Sequence, residues 1–158
     1  MTALGASVTA AGAKAERRVL ISDFFVAPKN GGDRENVLAS NEILTWISIP
    51  RGGLASATYE VRQKEALDWP LSAAAVALKL DGKKVAEARV VLGHVAPTPW
   101  RATAAENALK GKTVSEATAE AAGKAATDGA KPLSGNAYKI RLVQTAVKRA
   151  VLQAAKVS

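Results

Sequence analysis

Few residues in this chain are of a type that does chemistry. The one histidine, His94, lies in the run Gly93-His94-Val95-Ala96-Pro97. An imidazole there could act as a general base or donate into a pocket. No second histidine, cysteine or nearby carboxylate pair accompanies it, so its expected role is to hold the turn by hydrogen bonds. Asp33, Glu35, Glu42 and Asp68 could be carboxylate bases, but no spacing pairs them, and a solvated surface is expected. Trp69 beside Pro70 and Trp100 after Pro99 could stack on a ligand; each is expected instead to anchor its loop into the core. There is no two-histidine metal spacing, no Ser-His-Asp order and no P-loop, and Gly31-Gly32 does not fit a GxGxxG turn. The absence of cysteine excludes disulfides, thiolate metal sites and cysteine-ligated iron–sulfur clusters within this chain.

The elements that would position these residues centre on Ala55–Leu92. Three apolar segments, Ala55–Val61, Leu71–Leu80 and Val85–Leu92, have strand-like spacing, and Asp81-Gly82 between the last two is a hairpin signal. From Ala86 to Leu92 apolar residues alternate, which predicts one buried face. The middle segment is apolar on both faces, as in a central strand covered on both sides. Upstream, residues 3–22 read as a hairpin turning at Gly12-Ala13-Lys14. Glu42–Pro50 reads as a strand with Leu44, Trp46 and Ser48 on one face and Ile43, Thr45, Ile47 and Ile49 on the other. Pro50-Arg51-Gly52-Gly53 is the candidate domain boundary. Downstream, Gly93–Trp100 is an extended loop stiffened by two prolines. Thr103-Ala-Ala-Glu106 and Thr113-Val-Ser-Glu116 match capping boxes of two helices, the second with an inner face of Val114, Ala117, Ala121 and Ala125. A last helix from Ala137 to about Ala155 carries the stripe Ile140, Val143, Val147, Val151 and Ala154.

The 158 residues are 48% hydrophobic but only 4% aromatic, so a core must rest on Ala, Val, Leu and Ile. The net charge of +8 comes from Lys and Arg scattered along the chain. A nucleic-acid surface would concentrate them with aromatics between, so no nucleic-acid partner is expected; a solvated surface or an acidic protein partner is. No apolar run reaches about 18 residues, so no membrane partner is expected either. The N-terminus does not read as a secretory signal, which leaves a cytoplasmic location as the expectation.

Four runs, in order, resemble one family. They are Tyr59–Arg62, Asp68-Trp69-Pro70-Leu71, Ala88–Ala102 with its GxVAPxPxRA loop, and Pro132–Leu142 with its PLSxNxYK start. The chain resembles the C-terminal domain of the flavoprotein (medium) subunit of molybdenum hydroxylases such as carbon monoxide dehydrogenase and xanthine dehydrogenase. The resemblance implies an α+β fold: a three-stranded antiparallel sheet packed against C-terminal helices, preceded by a β-rich remnant of an FAD-binding domain. Residues 51–158 would form the flavoprotein C-terminal-like domain. Residues 1–50, with ISDFFVAP and NEILTWISIP, would be the tail of a truncated FAD-binding domain.

The function implied is that of a subunit or fragment supporting electron transfer from iron–sulfur clusters via FAD to an acceptor, with no catalysis by the chain alone. FAD would be shared with, or supplied by, an N-terminal half. The molybdenum cofactor and the [2Fe-2S] clusters would sit in a molybdenum-binding subunit and an iron–sulfur subunit. The family's glycine-rich pyrophosphate loops, of the AGGQS and TIGG kind, do not occur here. The carried-over flavin contact is Leu44, near the isoalloxazine ring. Where some members have a lysine in the following strand, this chain has Glu60. The alternative is a non-catalytic module that docks partner subunits without flavin. In either case the strands of residues 3–50 would leave an apolar face including Phe24, Phe25 or Trp46 for self-association or a partner.

Overall fold

The Asp81-Gly82 turn starts the main sheet. In the computed structural model, which describes residues 1–64 and 68–157, β5 (Ser72–Asp81) and β6 (Lys84–Gly93) form an antiparallel pair across it. Gly82 has φ +56°, a conformation that a residue with a Cβ adopts only under strain. β4 (Ala55–Val61) pairs with the other edge of β5. The three expected strands are therefore present, and a fourth joins them. After the proline loop the chain doubles back, and β7 (Trp100–Arg101) pairs with Val91 and Leu92, giving the order β4-β5-β6-β7.

Alternation decides what each face covers. Ala74, Val76 and Leu78 of β5, with Val85, Val90 and Leu92 of β6, lie in one cluster with the helices. Ala77 and Val91 point to the other side, where Ala3 packs on them. That residue belongs to a 3-10 turn, Thr2–Leu4, so both faces of the central strand are covered. On the helical side, α4 (Lys139–Ala155) lies across β4 and β5, α2 (Thr103–Leu109) lies on β6, and α3 (Glu116–Ala125) bridges α2 and α4. Val147 and Val151 of α4 and Leu109 of α2 are fully buried. Each such side chain contributes about 1.5–3 kcal/mol relative to exposure.

Two helix starts differ from the capping patterns read in the sequence. Thr103 caps nothing; Ala102 is the N-cap of α2, and Glu106 turns inward instead of reaching back. For α3 the N-cap is Ser115, and Thr118 takes the part expected of Glu116: its hydroxyl accepts the Ser115 N–H at 2.8 Å. The start is thereby displaced by two residues, and so is the buried row. Ala119, Ala122 and Gly123 face inward, whereas Ala117 and Ala121 are exposed. This row contains the one glycine of the helix, which lets α3 sit close against the α4 backbone. The stripe of α4 is as expected, widened by Ala146 and Ala150, with Ile140 half-buried.

The N-terminal residues form a separate three-stranded antiparallel sheet in the order β2-β1-β3, from β1 (Ser7–Ala11), β2 (Glu16–Leu20) and β3 (Ile43–Ser48). A one-turn helix, α1 (Ile21–Phe24), follows β2 and buries Phe24 against Ala6, Val8 and Ile21. β3 does not alternate strictly. Thr9 pairs with Trp46, but Ala10 pairs with Leu44, so Thr45 is the extra residue of a bulge. The bulge puts Leu44 and Ile47 on the same face as buried Val8 and Ala10, and turns Trp46 and Ile43 to the other. The face assignment expected from simple alternation is corrected accordingly.

The seat of Gly123 has a measurable consequence. A Cβ there would fall 2.5 Å from the Gln144 carbonyl oxygen, a backbone atom that cannot swing aside. Gly123→Ala is expected to lower urea-unfolding stability by about 1–3 kcal/mol despite alanine's better helix propensity. A neutral or stabilising result would mean that α3 is not held this close to α4.

Candidate functional site

The inner face of the small sheet looks across a groove at the outer face of the large one. One wall is Val8, Leu44 and Ile47 with Phe24 and Phe25; the other is Ala73, Ala75 and Val91 with the loop from Gly93 to Pro99. The groove encloses about 600 Å³ and is predominantly apolar. It brings Leu44 and the proline loop together, although about fifty residues separate them in the chain. No spacing rule connects these two positions; only the β3 bulge and the packing of the two sheets do.

The loop is held by its backbone. His94 has φ +62°, an uncommon value for a residue with a side chain. Its carbonyl accepts a hydrogen bond from Lys139 Nζ at 2.8 Å, which ties the loop to the start of α4. The proline loop and the start of α4 are thus joined to one another. The imidazole does not play the hydrogen-bonding part expected of it: it is exposed, lies edge-on to Trp69 with ring centroids 6.3 Å apart, and makes no hydrogen bond among the described residues. Among the described residues nothing activates it as a base.

The tryptophans are not core anchors. Trp69 is 83% exposed and Trp100 is 56% exposed. Trp100 pairs with Leu92 on the two-residue edge strand β7, so its ring stands at the rim of the sheet and not beneath the helices. The anchoring is done by its neighbour. Arg101 Nε and Nη2 donate to the two Glu106 oxygens, each at 2.9 Å. Glu106 is only 8% exposed, and its Oε1 also accepts the Val90 N–H at 3.0 Å. The hydrogen-bonded carboxylate raises the Arg101 pKa further above its already high range.

A second ion pair fixes Leu44. Arg17 on β2 donates from Nε and Nη2 to the carboxylate of Glu42 at 2.7 and 2.8 Å, and Nη2 also reaches the Val37 carbonyl. Glu42 in turn accepts the Ala39 N–H. The loop before β3 is thereby fastened to the sheet two residues ahead of Leu44. Glu42, expected to be solvated, is instead a structural partner. The hydrogen bond from Arg17, and then that from Ala39, lower its pKa from 4.5 to about 2. Asp33 also acts locally, accepting the N–H groups of Lys29 and Asn30 at 2.9 Å. Glu60 is paired with Arg62. Among the described residues no cluster of three or more His, Cys, Asp or Glu could hold a metal ion, and no helix is long and apolar enough to cross a membrane.

Residues 57–154, well over half of the chain, match the family model of the CO dehydrogenase flavoprotein C-terminal domain. The chain belongs to this family. Across 106 residues it is 28% identical to the glyceraldehyde dehydrogenase medium chain of Sulfolobus acidocaldarius, a match covering 67% of this chain and 36% of that protein. Its fold superimposes on quinoline 2-oxidoreductase from Pseudomonas putida 86 with a TM-score of 0.86 and 29% identity, over 99% of this chain and 54% of that one. For carbon monoxide dehydrogenase from Hydrogenophaga pseudoflava the TM-score is 0.84 and the identity 30%, over the same shares. The family's α+β fold, with antiparallel sheets and C-terminal helices, is therefore the fold of this chain. The chain spans about half the length of these matched structural chains and about a third of the curated relative.

The Arg17–Glu42 pair predicts a pH dependence. Unfolded, the Glu42 carboxyl titrates near 4.5; folded, near 2. Because the folded value is the lower one, the pair's contribution is fully present above the unfolded value and is lost as pH falls through the folded one. The melting-temperature advantage of the wild type over Glu42→Gln should be level above about pH 5 and shrink between 4.5 and 2. An advantage that stays constant through that window would contradict the assigned pairing.

Proposed function

We propose that the groove between the two sheets receives the isoalloxazine ring of FAD, with Leu44 against it, in the flavoprotein component of a molybdenum hydroxylase. The observation that carries this reading is the meeting of Leu44 and the Gly93–Pro99 loop across one apolar groove of about 600 Å³. A planar aromatic body fits such walls, and Leu44 and Ile47 would keep water from one face of it. The pyrophosphate does not fit here: the sequence lacks both glycine-rich loops, and the walls are apolar where backbone N–H donors would be needed. In this reading residues 1–50 are part of an FAD-binding domain, residues 51–158 are the C-terminal domain, and an N-terminal half supplies the phosphate cradle.

The redox chemistry is the flavin's: when bound, it takes electrons delivered through the [2Fe-2S] clusters of an iron–sulfur subunit, downstream of a molybdenum-binding subunit, and gives them to an acceptor. This chain contributes position. Lys139 fixes the loop through the His94 carbonyl, and the Arg17–Glu42 pair fixes the β3 end through the residue two before Leu44. The one imidazole lining the groove, His94, has no hydrogen-bonded side-chain partner among the described residues to take or supply a proton. A second reading, a docking module that binds partner subunits without flavin, is favoured by the outer face of the small sheet. There Ile43 is 67% exposed and Trp46 is 69% exposed.

Lumiflavin, which has the ring and no phosphate, separates the two. Titrated against the full chain and followed by fluorescence, it is expected to bind saturably but weakly, with Kd on the order of 100 μM or above. Leu44→Asp should abolish that binding without unfolding the chain. FAD should also stay above micromolar. Sub-micromolar FAD affinity for the chain alone would show that a phosphate cradle exists after all; no saturable lumiflavin binding, or binding indifferent to Leu44→Asp, would favour the docking module.

A further inference from the structure

On the other side of the Thr2–Leu4 turn from the flavin groove lies a second cavity, of about 750 Å³. Its chemistry is different. Four cations, Lys79, Arg89, Arg101 and Lys110, face it together with two carboxylates. Both carboxylates are already engaged: Glu87 accepts from Lys79 at 3.0 Å, and Glu106 is held by Arg101 and the Val90 N–H. Arg89 and Lys110 are left without an ion-pair or hydrogen-bonded partner among the described residues.

Arg89 is the more telling of the two. It is partly buried, and its guanidinium lies against the N-terminal turn at Gly5. Gly5 has φ +67°, and a Cβ there would fall 2.5 Å from Arg89 Nη1. The carboxylate whose charge Arg89 feels, Glu87, is hydrogen-bonded to Lys79, so the donors of Arg89 itself stay open to an added anion. The floor beside it is apolar, formed by Leu4, Leu54 and Val91.

We infer that this cavity binds a small organic phosphate: a phosphoryl group on Arg89 and Lys110, with the planar or apolar body on the floor. The guanidinium supplies two parallel donors in a plane that matches phosphate oxygens, and the ammonium adds a point charge from the α2 side. A cavity of this volume holds a mononucleotide-sized ligand with room for solvent. The inference goes beyond the flavin reading and does not depend on it.

The test uses the full chain and AMP, which has no isoalloxazine ring, measured by titration calorimetry at low and at near-physiological salt, with inorganic phosphate alongside. Saturable one-to-one AMP binding is expected, tighter than inorganic phosphate by at least about tenfold and weakened by salt. Arg89→Gln and Lys110→Gln should each weaken AMP by about tenfold or more. Lys83→Gln, at the exposed hairpin tip outside the cavity, should leave it unchanged. Lys110 is on the surface, so its variant reads binding even if Arg89→Gln fails to fold. In addition, the Gly5 amide resonance should shift on AMP addition. No saturable AMP binding would overturn the proposal. Equal affinity for AMP and inorganic phosphate, or equal weakening by the Lys83 and Lys110 variants, would do so too, because each would reduce the site to diffuse positive charge.

Discussion

A single buried carboxylate holds the corner on which the layout turns. Where β7 ends after two residues, the ladder on the free edge of β6 stops, and the Val90 N–H has no strand to pair with. Glu106, one turn into α2, accepts that N–H and takes both guanidinium donors of Arg101. The Ala102 N–H completes the corner by donating to the Val90 carbonyl at 2.8 Å. Three elements, β6, β7 and α2, meet on one side chain. A carboxylate this buried is tolerable because each oxygen has a donor, and because its charge is balanced by a cation whose other side reaches water. The loop from Gly93 to Pro99 is the span between β6 and β7, so its position follows from the closure of that corner.

The same logic runs through the N-terminal sheet on a smaller scale. Arg17, Glu42 and the Ala39 N–H fasten the approach to β3, and the bulge at Thr45 then decides which side chains face the groove. The groove has apolar walls held by polar clamps set back from it: Lys139 to the His94 carbonyl on one side, Arg17 to Glu42 on the other. Such an arrangement suits a site whose task is to position a planar group, since the clamps fix geometry and place no charge against the ligand.

Much of this was legible in the sequence, for reasons that can be named. The main sheet follows from period-2 alternation and one Asp-Gly turn, and the α4 stripe from its 3–4 residue repeat; both are local signals. Family membership was carried by the proline loop and the start of α4, which are short and specific. The misread features depend on context. Thr103-Ala-Ala-Glu106 has the form of a capping box, but the Val90 N–H and Arg101 offered Glu106 better partners than the helix start did. Strict alternation misplaced Trp46 because a bulge leaves no mark in a run of β-formers. Trp100 was expected to anchor its loop into the core, yet its edge strand is two residues long and leaves the ring at the rim. Arg101 and Glu106 are five residues apart, outside the i,i+3 and i,i+4 spacings of a helix pair, so their ion pair leaves no local mark in the sequence.

Native-state hydrogen exchange on Glu106→Ala, compared with the wild type, tests this account most directly. If the carboxylate closes the corner, the Val90 and Ala102 amides and those of residues 93–101 should exchange faster by on the order of tenfold or more, while the amides of α4 keep wild-type protection. Unchanged protection at Val90 and in the loop would contradict the claim that Glu106 positions them, and a uniform loss across the whole chain would show a global stability effect with no local closure.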